Sequence, residues 1–315
     1  MSELSKLEKQ AFSYLLAREQ KYSQLIQKQL RDSLNTIYAE MKVIYDKYAI
    51  NGKLTKVEMV KYNKYATMER QILKKLDPAI KANIKEIKYL LPSQYKESFF
   101  HYAWAIDNAT GLRLSYGNIN TSQFLQLFDI TNPKNIELQS ALTNYNYLLT
   151  AKKAIRAALL NNLSIGKTFD EMARDLRKAL SITFNEALRI IRTEGISAIN
   201  AGQTLAYIKA QENGVIGVEK WSATKDSKTR YDHAIADGKK RNEDGYFYVG
   251  GEPALFPGDP NLSAGNRIHC RCHTYFEIEG YEPQLMRTRE EGILPYMTYN
   301  DYAKQYHPDW LKKGA

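Results

Sequence analysis

The first 111 residues carry apolar side chains at helical spacing, and no other feature of the sequence restricts the fold as strongly. Ser5 and Glu8 have the spacing of a capping box, and the apolar residues after them recur at the intervals of an amphipathic helix as far as Tyr48. The pair Asn51-Gly52 is expected to end this helix, because these residue types favour helix termini. The sequence therefore predicts a very long first helix.

Two further helices are predicted in the same region. Thr55 and Glu58 form a second capping box, and the helix that they begin is expected to end at Asp77-Pro78. A third helix is expected from there to Pro92, and the helical pattern continues over residues 93–110. Long helices with few glycines are typical of an antiparallel bundle or a helical hairpin, which we predict for this region.

Residues 112–135 interrupt the helical pattern. Gly117, Pro133 and several Asn surround one short apolar run, which predicts a connection between domains. Further helices are predicted after it, at 136–162, 169–180 and 185–212.

After residue 213 the pattern changes to short strands and turns. Strands are predicted at 218–222, 246–249 and 268–276. Helices followed by strands predict an α+β fold, in which a small sheet packs on a helix. The predicted divisions are a basic long-helix region at 1–111, the connection at 112–135, a domain at 136–280 with helices at 136–213 and a small α+β part at 214–280, and a C-terminal arm at 281–315.

Residues 221–276 hold three of the five His and both Cys, so any chemistry of the chain is expected there. Asp226 has the position of an N-cap for a short helix beginning near residue 227. Arg230, His233 and Asp237 follow at helical spacing and are expected on one face of that helix, which Gly238 ends.

Two charged residues lie on the helix that precedes this segment. Arg192 and Glu194 are predicted to approach the terminal domain and to pair with Arg230 or Asp237. A structural ion pair is favoured over general acid and base catalysis, because paired charges are common in scaffolds.

The two cysteines are separated by one residue. If 268–276 is a strand, its alternation places Cys270 and Cys272 on one face and His269, Arg271 and His273 on the other. A disulfide between the two thiols is not expected, because their Cα separation on one strand face lies near the upper limit for a bridge.

This placement leaves two interpretations open. Cys270, Cys272 and His233 would offer two sulfurs and one nitrogen to zinc, with Asp226, Asp237, His269, His273 or water as a fourth ligand. The alternative is a strand whose reduced thiols are buried in the core, because C-x-C is not the usual C-x-x-C pattern of zinc sites.

Five motifs occur in a fixed order along the second half of the chain. They are Arg192-Thr193-Glu194, Asn200-Ala201, the run from Trp221 to Gly238 that contains Asp226, Arg230, His233 and Asp237, then Pro257-Gly258-Asp259-Pro260, and Cys270-Arg271-Cys272. Together they resemble the Mu F-like head morphogenesis family, the minor head proteins of tailed double-stranded DNA phages, over roughly residues 150–280. The family often has Asn directly before C-R-C, where this chain has His269.

The resemblance implies a structural protein of phage head assembly. Such a protein acts inside the procapsid near the portal, associates with the packaged DNA and leaves with it on ejection. The implied partners are the portal protein, double-stranded DNA and a scaffolding or major capsid protein, and the implied locations are the capsid interior and, during assembly, the host cytoplasm.

Two enzyme classes are the alternatives. One is a zinc-dependent nuclease built on His233, Cys270, Cys272 and Asp226, and the other is a toxin or transferase, because relatives of this domain occur fused to effector domains. A P-loop, an H-E-x-x-H, a G-x-S-x-G and a G-x-G-x-x-G are absent from the sequence, and we favour the assembly protein.

The charge is distributed unevenly. The net charge is +8 for residues 1–100, +3 for 101–200 and −1 for 201–315, within a total of +10. A basic surface binds nucleic acid without sequence preference by releasing counterions, so residues 1–200 are predicted to bind duplex DNA. The alternative is a solvated helical face whose lysines only keep the protein soluble.

Length and composition set the remaining bounds. A chain of 315 residues with 43% hydrophobic residues is long enough for two domains. No apolar run reaches the ~20 residues of a membrane-spanning helix, so no membrane insertion is expected. Two Cys in the whole chain are consistent with a reducing compartment and exclude a disulfide scaffold.

Overall fold

The computed structural model describes residues 3–61, 65–117, 119, 145–278, 285–288, 291–295, 297–306 and 308. The helices are α1 (Glu3–Tyr48), α2 (Lys56–Lys61), α3 (Tyr65–Thr110), α4 (Tyr145–Ile165), α5 (Phe169–Glu212), α6 (Tyr231–Ala236), α7 (Ala264–Arg267) and α8 (Tyr299–Tyr306). The strands are β1 (Gly217–Ser222), β2 (Phe247–Val249), β3 (Glu252–Ala254), β4 (His273–Ile278), β5 (Leu285–Thr288) and β6 (Gly292–Pro295). Long helices followed by short strands confirm the predicted α+β class.

The strands form three antiparallel pairs. β1 pairs with β4, in a register that places Trp221 opposite Thr274, while β2 pairs with β3 and β5 with β6. None of the described helices is long and apolar enough to cross a membrane.

The end of α1 was predicted correctly. Asn51 and Gly52 have positive φ angles of 49° and 72°, and the backbone of Ile50 and Lys53 closes the turn with two hydrogen bonds of 2.9 and 3.0 Å. Asn and Gly adopt such angles more readily than other residues, so this pair stops the helix.

The predicted helix ends at Pro78 and Pro92 were wrong, because α3 continues through both residues. A proline inside a helix removes one backbone hydrogen bond and costs about 3 kcal/mol. The apolar stripe continues on both sides of each proline, however, and burying each such side chain contributes about 1.5–3 kcal/mol. The buried side chains are Leu76, Ile80, Ile84, Ile87, Leu90, Leu91 and Phe99.

The break predicted near residue 181 was also wrong, since α5 is one helix. The β-branched residues of the Ser181–Phe184 segment lower helix propensity by only a few tenths of a kcal/mol. Ser181 Oγ donates to the carbonyl of Arg177 within the helix, at 2.9 Å. Buried Leu176, Leu180 and Ala187 keep the apolar face continuous across this segment.

The segment before β4 differs from the predicted strand. β4 begins at His273, and residues 268–272 form a loop in which His269 has a φ of 56°. The short helix α6 begins at Tyr231 rather than near residue 227. The sequence pattern indicated β2 but not β3, β5 or β6. Most of the predicted connection and the start of the helix predicted after it, residues 118 and 120–144, lie outside the described residues, as do Tyr296 and Trp310 of the predicted C-terminal arm.

The chain divides into two compact units that interleave along the sequence. The first unit comprises Met1–Glu19, Leu90–Asn135 and Arg192–Ala315, and the second comprises Gln20–Tyr89 and Ile136–Ile191. The predicted domains are contiguous segments, and their boundaries stay a prediction.

The second unit has a helical core. Its buried side chains include Ile26, Leu30, Ile37, Met41, Ile72, Ile80, Ile155, Leu159, Met172 and Leu176. Tyr45 and Tyr38 donate their hydroxyls to the main-chain carbonyls of Lys167 and Ala173, at 3.0 and 2.7 Å. Each of these bonds gives a large side chain one fixed position, because a buried hydroxyl needs a partner.

The first unit contains a close crossing of two helices at Gly202. A Cβ atom at this position would lie 2.3 Å from the carbonyl oxygen of Tyr95 and 2.9 Å from the Cβ of Ser98. Near the crossing, Ser98 Oγ donates to the carbonyl of Ile199 at 2.6 Å. Only a residue without a side chain lets the α3 and α5 backbones approach this closely.

A buried carboxyl group holds the first turns of α1 in the same unit. Glu8 Oε1 accepts from Tyr207 Oη at 2.5 Å and from the amide of Phe276 at 3.1 Å. Burial raises the pKa of Glu8 to about 8, against the effect of these two hydrogen bonds. The carboxyl group is therefore mostly protonated at neutral pH, which avoids a buried charge.

We expect Gly202→Ala to destabilise the protein by about 1–3 kcal/mol, because the new methyl group meets backbone atoms that cannot move aside. The matched control is Gly195→Ala on the same helix, where a Cβ atom would make only a 3.5 Å contact with Glu19. That substitution should stabilise the protein by about 0.5–1 kcal/mol, since alanine is the better helix former. Urea unfolding monitored by circular dichroism gives both values, and equal effects at the two positions would contradict the close crossing.

Candidate functional site

One imidazole and two thiols meet inside the first unit. His233 lies on α6, and Cys270 and Cys272 lie on the loop between α7 and β4. His233 Nδ1 is 3.3 Å from Cys272 Sγ and 3.7 Å from Cys270 Sγ. All three side chains are buried, with 2–3% exposure. The two thiols therefore face the same side, as alternation predicted, although they precede the strand.

The group is surrounded by apolar side chains. The indole of Trp221 packs edge-on against the His233 ring, with 6.1 Å between centroids. The other members of this buried cluster are Ala223, Ala236, Phe247, Val249, Ala254 and Leu262. An apolar wall of this kind excludes water, so the polar atoms of the group depend on one another.

The two thiols differ in acidity. The hydrogen bond from Cys272, together with the contact to His233, holds the pKa of Cys270 well below its usual range despite burial. The pKa of Cys272 is raised by its hydrogen bond to Cys270 and by burial.

The loop that carries the thiols is fixed through its main chain. Asn200 Nδ2, on α5, donates to the carbonyls of Pro257 at 2.8 Å and Cys272 at 3.0 Å. Thr224 Oγ1 donates to the carbonyl of Arg271 at 2.9 Å. These bonds position both sulfurs without touching them.

The charged motif residues form ion pairs around the loop. Arg271 donates two hydrogen bonds to Asp226, the longer at 2.7 Å, in a bidentate pair. Asp237 pairs with Lys225 at 3.0 Å and also accepts from the amide of Ala223 at 2.7 Å.

The predicted partners of Arg192 and Glu194 were wrong. Glu194 is buried and pairs with Arg267, while Arg192 lies 4.0 Å from Glu19. Arg230 donates to the main-chain carbonyls of Gly265 and Ile268, the latter at 2.6 Å. The sequence indicated that Glu194 forms an ion pair. Its partner Arg267 lies on α7, a helix of four residues that no sequence pattern predicted.

Asp226 precedes the turn that leads into α6, and Gly238 follows the end of that helix. Asp226 does not cap α6 as predicted, because Arg230 occupies the N-cap and Asp226 Oδ1 accepts from the amide of Lys228 at 2.9 Å. Gly238 has a φ of 77°, and its amide donates to the carbonyl of Trp221 at 2.8 Å. The glycine therefore returns the chain to β1 after α6.

The Pro257-Gly258-Asp259-Pro260 motif forms a turn next to α5. The buried carboxylate of Asp259 accepts from the amides of Leu255 at 2.7 Å and Asn261 at 2.8 Å. Gly258 has a φ of 82° and faces Ser197, to which a Cβ atom would approach within 3.5 Å. The motif supplies a carboxylate that satisfies backbone donors at a sharp bend.

The histidines predicted as a fourth ligand lie elsewhere. His269 is exposed, and its amide donates to Thr193 Oγ1 at 3.3 Å. Its φ of 56° is a conformation that Asn adopts more readily than most other residues. His273 stacks on Phe12 with 4.8 Å between centroids, and burial lowers the pKa of His273 to about 4. Among the described residues, the group of metal-binding side chains consists of His233, Cys270 and Cys272.

A second set of buried polar residues, on α5 and β1, was not predicted from the sequence. Gln203 Nε2 donates to the carbonyl of Thr274 at 2.7 Å, one helical turn after Asn200. Glu219 accepts from Thr204 Oγ1 at 2.8 Å and from Arg241 Nε at 2.9 Å. The available signal was a row of polar residues on the otherwise apolar face of α5.

We expect Asn200→Ala to destabilise the protein by about 1–3 kcal/mol, because two buried carbonyls lose their side-chain donor. Asn161→Ala, at an exposed position of α4, is the control and should change the free energy of unfolding by less than about 0.5 kcal/mol. Denaturant titration measures both. An Asn200 variant as stable as the control would show that the amide does not hold the loop.

Comparisons with known proteins agree with these motifs. Residues 153–275 match the family model described as Phage Mu protein F like protein. The minor head protein GP7 of Bacillus phage SPP1 is 27% identical over 289 residues, which cover 86% of this chain and 88% of that protein. The NAD(+)--arginine ADP-ribosyltransferase EFV of Enterococcus faecalis is 25% identical over 303 residues, 96% of this chain and 61% of that protein.

A third relative is similar over a shorter length. The uncharacterized protein YqbB of Bacillus subtilis is 26% identical over 128 residues, 39% of this chain and 41% of that protein. No solved structure matches the chain. The region that matches the family model, residues 153–275, contains every motif on which the resemblance was based, from Arg192 to Cys272. Residues 153–275 of this chain are therefore similar to the Phage Mu protein F like family, the family that the motifs predicted.

Proposed function

We propose that this chain is a minor head protein that acts in the head assembly of a tailed double-stranded DNA phage. The observation that carries the proposal is the extent of the similarity to the minor head protein GP7, which covers 86% of this chain and 88% of that protein. A match of this length extends well beyond residues 153–275, which match the family model. The similarity is therefore not limited to the Mu F-like region.

The geometry of the motif residues supports a structural role. Glu194, Asp226 and Asp237 are held in ion pairs, and Asn200 and Arg230 donate to main-chain carbonyls. Side chains engaged in this way stabilise loops and are not available to a substrate. The zinc-dependent nuclease is therefore not the favoured alternative.

The similarity to the ADP-ribosyltransferase does not favour a transferase. The match covers 61% of that protein, so about two fifths of it have no counterpart in the alignment. A name given to the whole protein does not identify the matched part as the part that acts on NAD.

The proposal includes a place and partners for the chain. It acts inside the procapsid near the portal protein, contacts scaffolding or major capsid protein during assembly, and associates with the packaged DNA, with which it leaves on ejection. The name of the relative supports a place in the phage head, and the basic charge of the second unit supports an association with DNA.

We expect the chain to be present in purified DNA-filled heads of the phage that encodes it, in fewer copies than the major capsid protein. Quantitative mass spectrometry of the heads measures this ratio, and protease treatment of intact heads tests whether the chain lies inside. Detection of the chain only in the fraction free of heads and procapsids would contradict the proposal.

The net positive charge of the molecule comes from the second unit. This unit contains 23 Lys and Arg against 12 Asp and Glu, a net charge of +11, whereas the rest of the chain has 22 against 23, a net charge of −1. A uniformly solubilising charge would not be distributed in this way. The division supports a partner that carries negative charge.

Within this unit, exposed cations follow one face of α3. Arg70, Lys74, Lys81, Lys85 and Lys88 are exposed and lie at intervals of three, four and seven residues, which share one side of a helix. We call this set the basic stripe. In the described part of the chain none of its members makes an ion pair, while neighbouring Lys75 pairs with Glu40. The stripe extends over about 27 Å at 1.5 Å per residue, long enough to follow several phosphates of a DNA strand.

We expect replacement of Lys74, Lys81, Lys85 and Lys88 by Gln to reduce the slope of log K against log salt for duplex DNA by about 3–4, since each phosphate contact contributes about 0.9. Gln has a helix propensity close to that of Lys, so α3 should remain intact. Filter binding or fluorescence anisotropy between low and moderate salt gives the slopes.

The control is a variant with the same net charge. Lys228, Lys239, Lys240 and Lys304 are exposed lysines of the first unit, and their replacement by Gln should leave the slope unchanged. Equal losses in the two variants, or binding that does not depend on salt, would contradict a DNA surface on the basic stripe.

A further inference from the structure

We propose that His233, Cys270 and Cys272 bind one zinc ion, which joins α6 to the loop before β4 and stabilises the Mu F-like fold. The inference goes beyond head assembly, because it concerns how the first unit is held together. It rests on three buried side chains, which lie 37 and 39 residues apart in sequence and contact one another.

The distances between the ligand atoms are those of a tetrahedral site. Zinc lies about 2.3 Å from a thiolate sulfur and about 2.0–2.1 Å from an imidazole nitrogen, which places sulfur and nitrogen about 3.6 Å apart in a tetrahedron. The observed separations from His233 Nδ1 to the two sulfurs are 3.3 and 3.7 Å. An ion can therefore enter with small side-chain movements.

The charges of the group and of its surroundings favour the binding of a cation. Two thiolates in an apolar cluster would carry a charge of −2, which is costly without compensation. Two cations of the surrounding segments are already engaged, since Lys225 pairs with Asp237 and Arg271 pairs with Asp226. A divalent ion would neutralise the two thiolates.

The loop is arranged in advance of binding. The amide of Cys270 donates to the carbonyl of Arg267 at 3.1 Å, and the carbonyls of Arg271 and Cys272 accept from Thr224 and Asn200. Side chains fixed through their backbones lose little freedom when they bind a metal, which favours affinity.

The ligand types indicate the metal. Two thiolates and one imidazole suit zinc better than magnesium or calcium, which prefer oxygen. Asp226, Asp237, His269 and His273 are all held by other contacts, so among the described residues no fourth side chain joins the group. The described residues therefore supply three of the four ligands of a tetrahedral site.

The direct test is the metal content of the full-length chain purified under reducing conditions with zinc present. We expect about one zinc per chain by elemental analysis. His233→Ala, Cys270→Ser and Cys272→Ser should each lower this ratio at least several-fold. The matched control is His269→Asn, which suits the positive φ of this position and should keep the full ratio.

A second measurement separates loss of the site from loss of the fold. Wild-type protein loaded with cobalt(II) in place of zinc should show the absorption bands of a tetrahedral site and a thiolate-to-cobalt charge-transfer band. The charge-transfer band should weaken in either Cys→Ser variant while the far-ultraviolet circular dichroism stays that of a folded helical protein. A chelator should lower the unfolding midpoint of the wild type and leave that of Cys272→Ser unchanged.

Three results would overturn the proposal. They are wild-type protein that holds neither zinc nor cobalt, a Cys270–Cys272 disulfide in protein kept under reducing conditions, and a His269→Asn variant that loses metal as fully as His233→Ala. The second and third would replace the zinc centre by a redox pair and by a different ligand set. Absence of the chain from heads would contradict the proposed function and leave the metal content unaffected.

Discussion

The hydrogen bonds from buried side chains of α5 to the main chain of the C-terminal segments hold the first unit together. Asn200 reaches the carbonyls of Pro257 and Cys272, and Gln203 reaches that of Thr274. Each buried carbonyl left without its donor would cost about 1–3 kcal/mol. The loops and the β1–β4 pair therefore have one favourable position against the helix, and the thiols, the turn at Asp259 and the ion pairs take their places from it.

The two units differ in the kind of interaction that they present. The first unit concentrates its polar groups inside, where they satisfy one another, and its net charge is close to zero. The second unit has an apolar helical interior and carries the positive charge on its surface. A structural domain and a basic helical surface in one chain suit a protein that is held in a shell and meets DNA, which is the function proposed above.

The sequence predicted the parts of this structure that depend on local patterns. The end of α1 followed from Asn51-Gly52, and the α+β class followed from the change of pattern after residue 213. The continuation of α3 through Pro78 did not follow, because the stabilising side chains lie on other segments. The same reason applies to the pairing of Glu194 with Arg267 and to the capping position of Asp226, since both depend on a loop whose path is set by tertiary contacts. The convergence of His233 with the two thiols was indicated only as one of two interpretations.

The buried side-chain amides of Asn200 and Gln203 donate to main-chain carbonyls, and this determines which positions can be substituted without loss of these hydrogen bonds. Every residue type offers a carbonyl, so positions such as 257, 272 and 274 keep their role in these bonds whichever side chain they carry. Asn200 and Gln203 have no such freedom, because few side chains of that length carry an N–H group. The side chains at 257, 272 and 274 can thus change without loss of these bonds, provided that the two donors on α5 are retained.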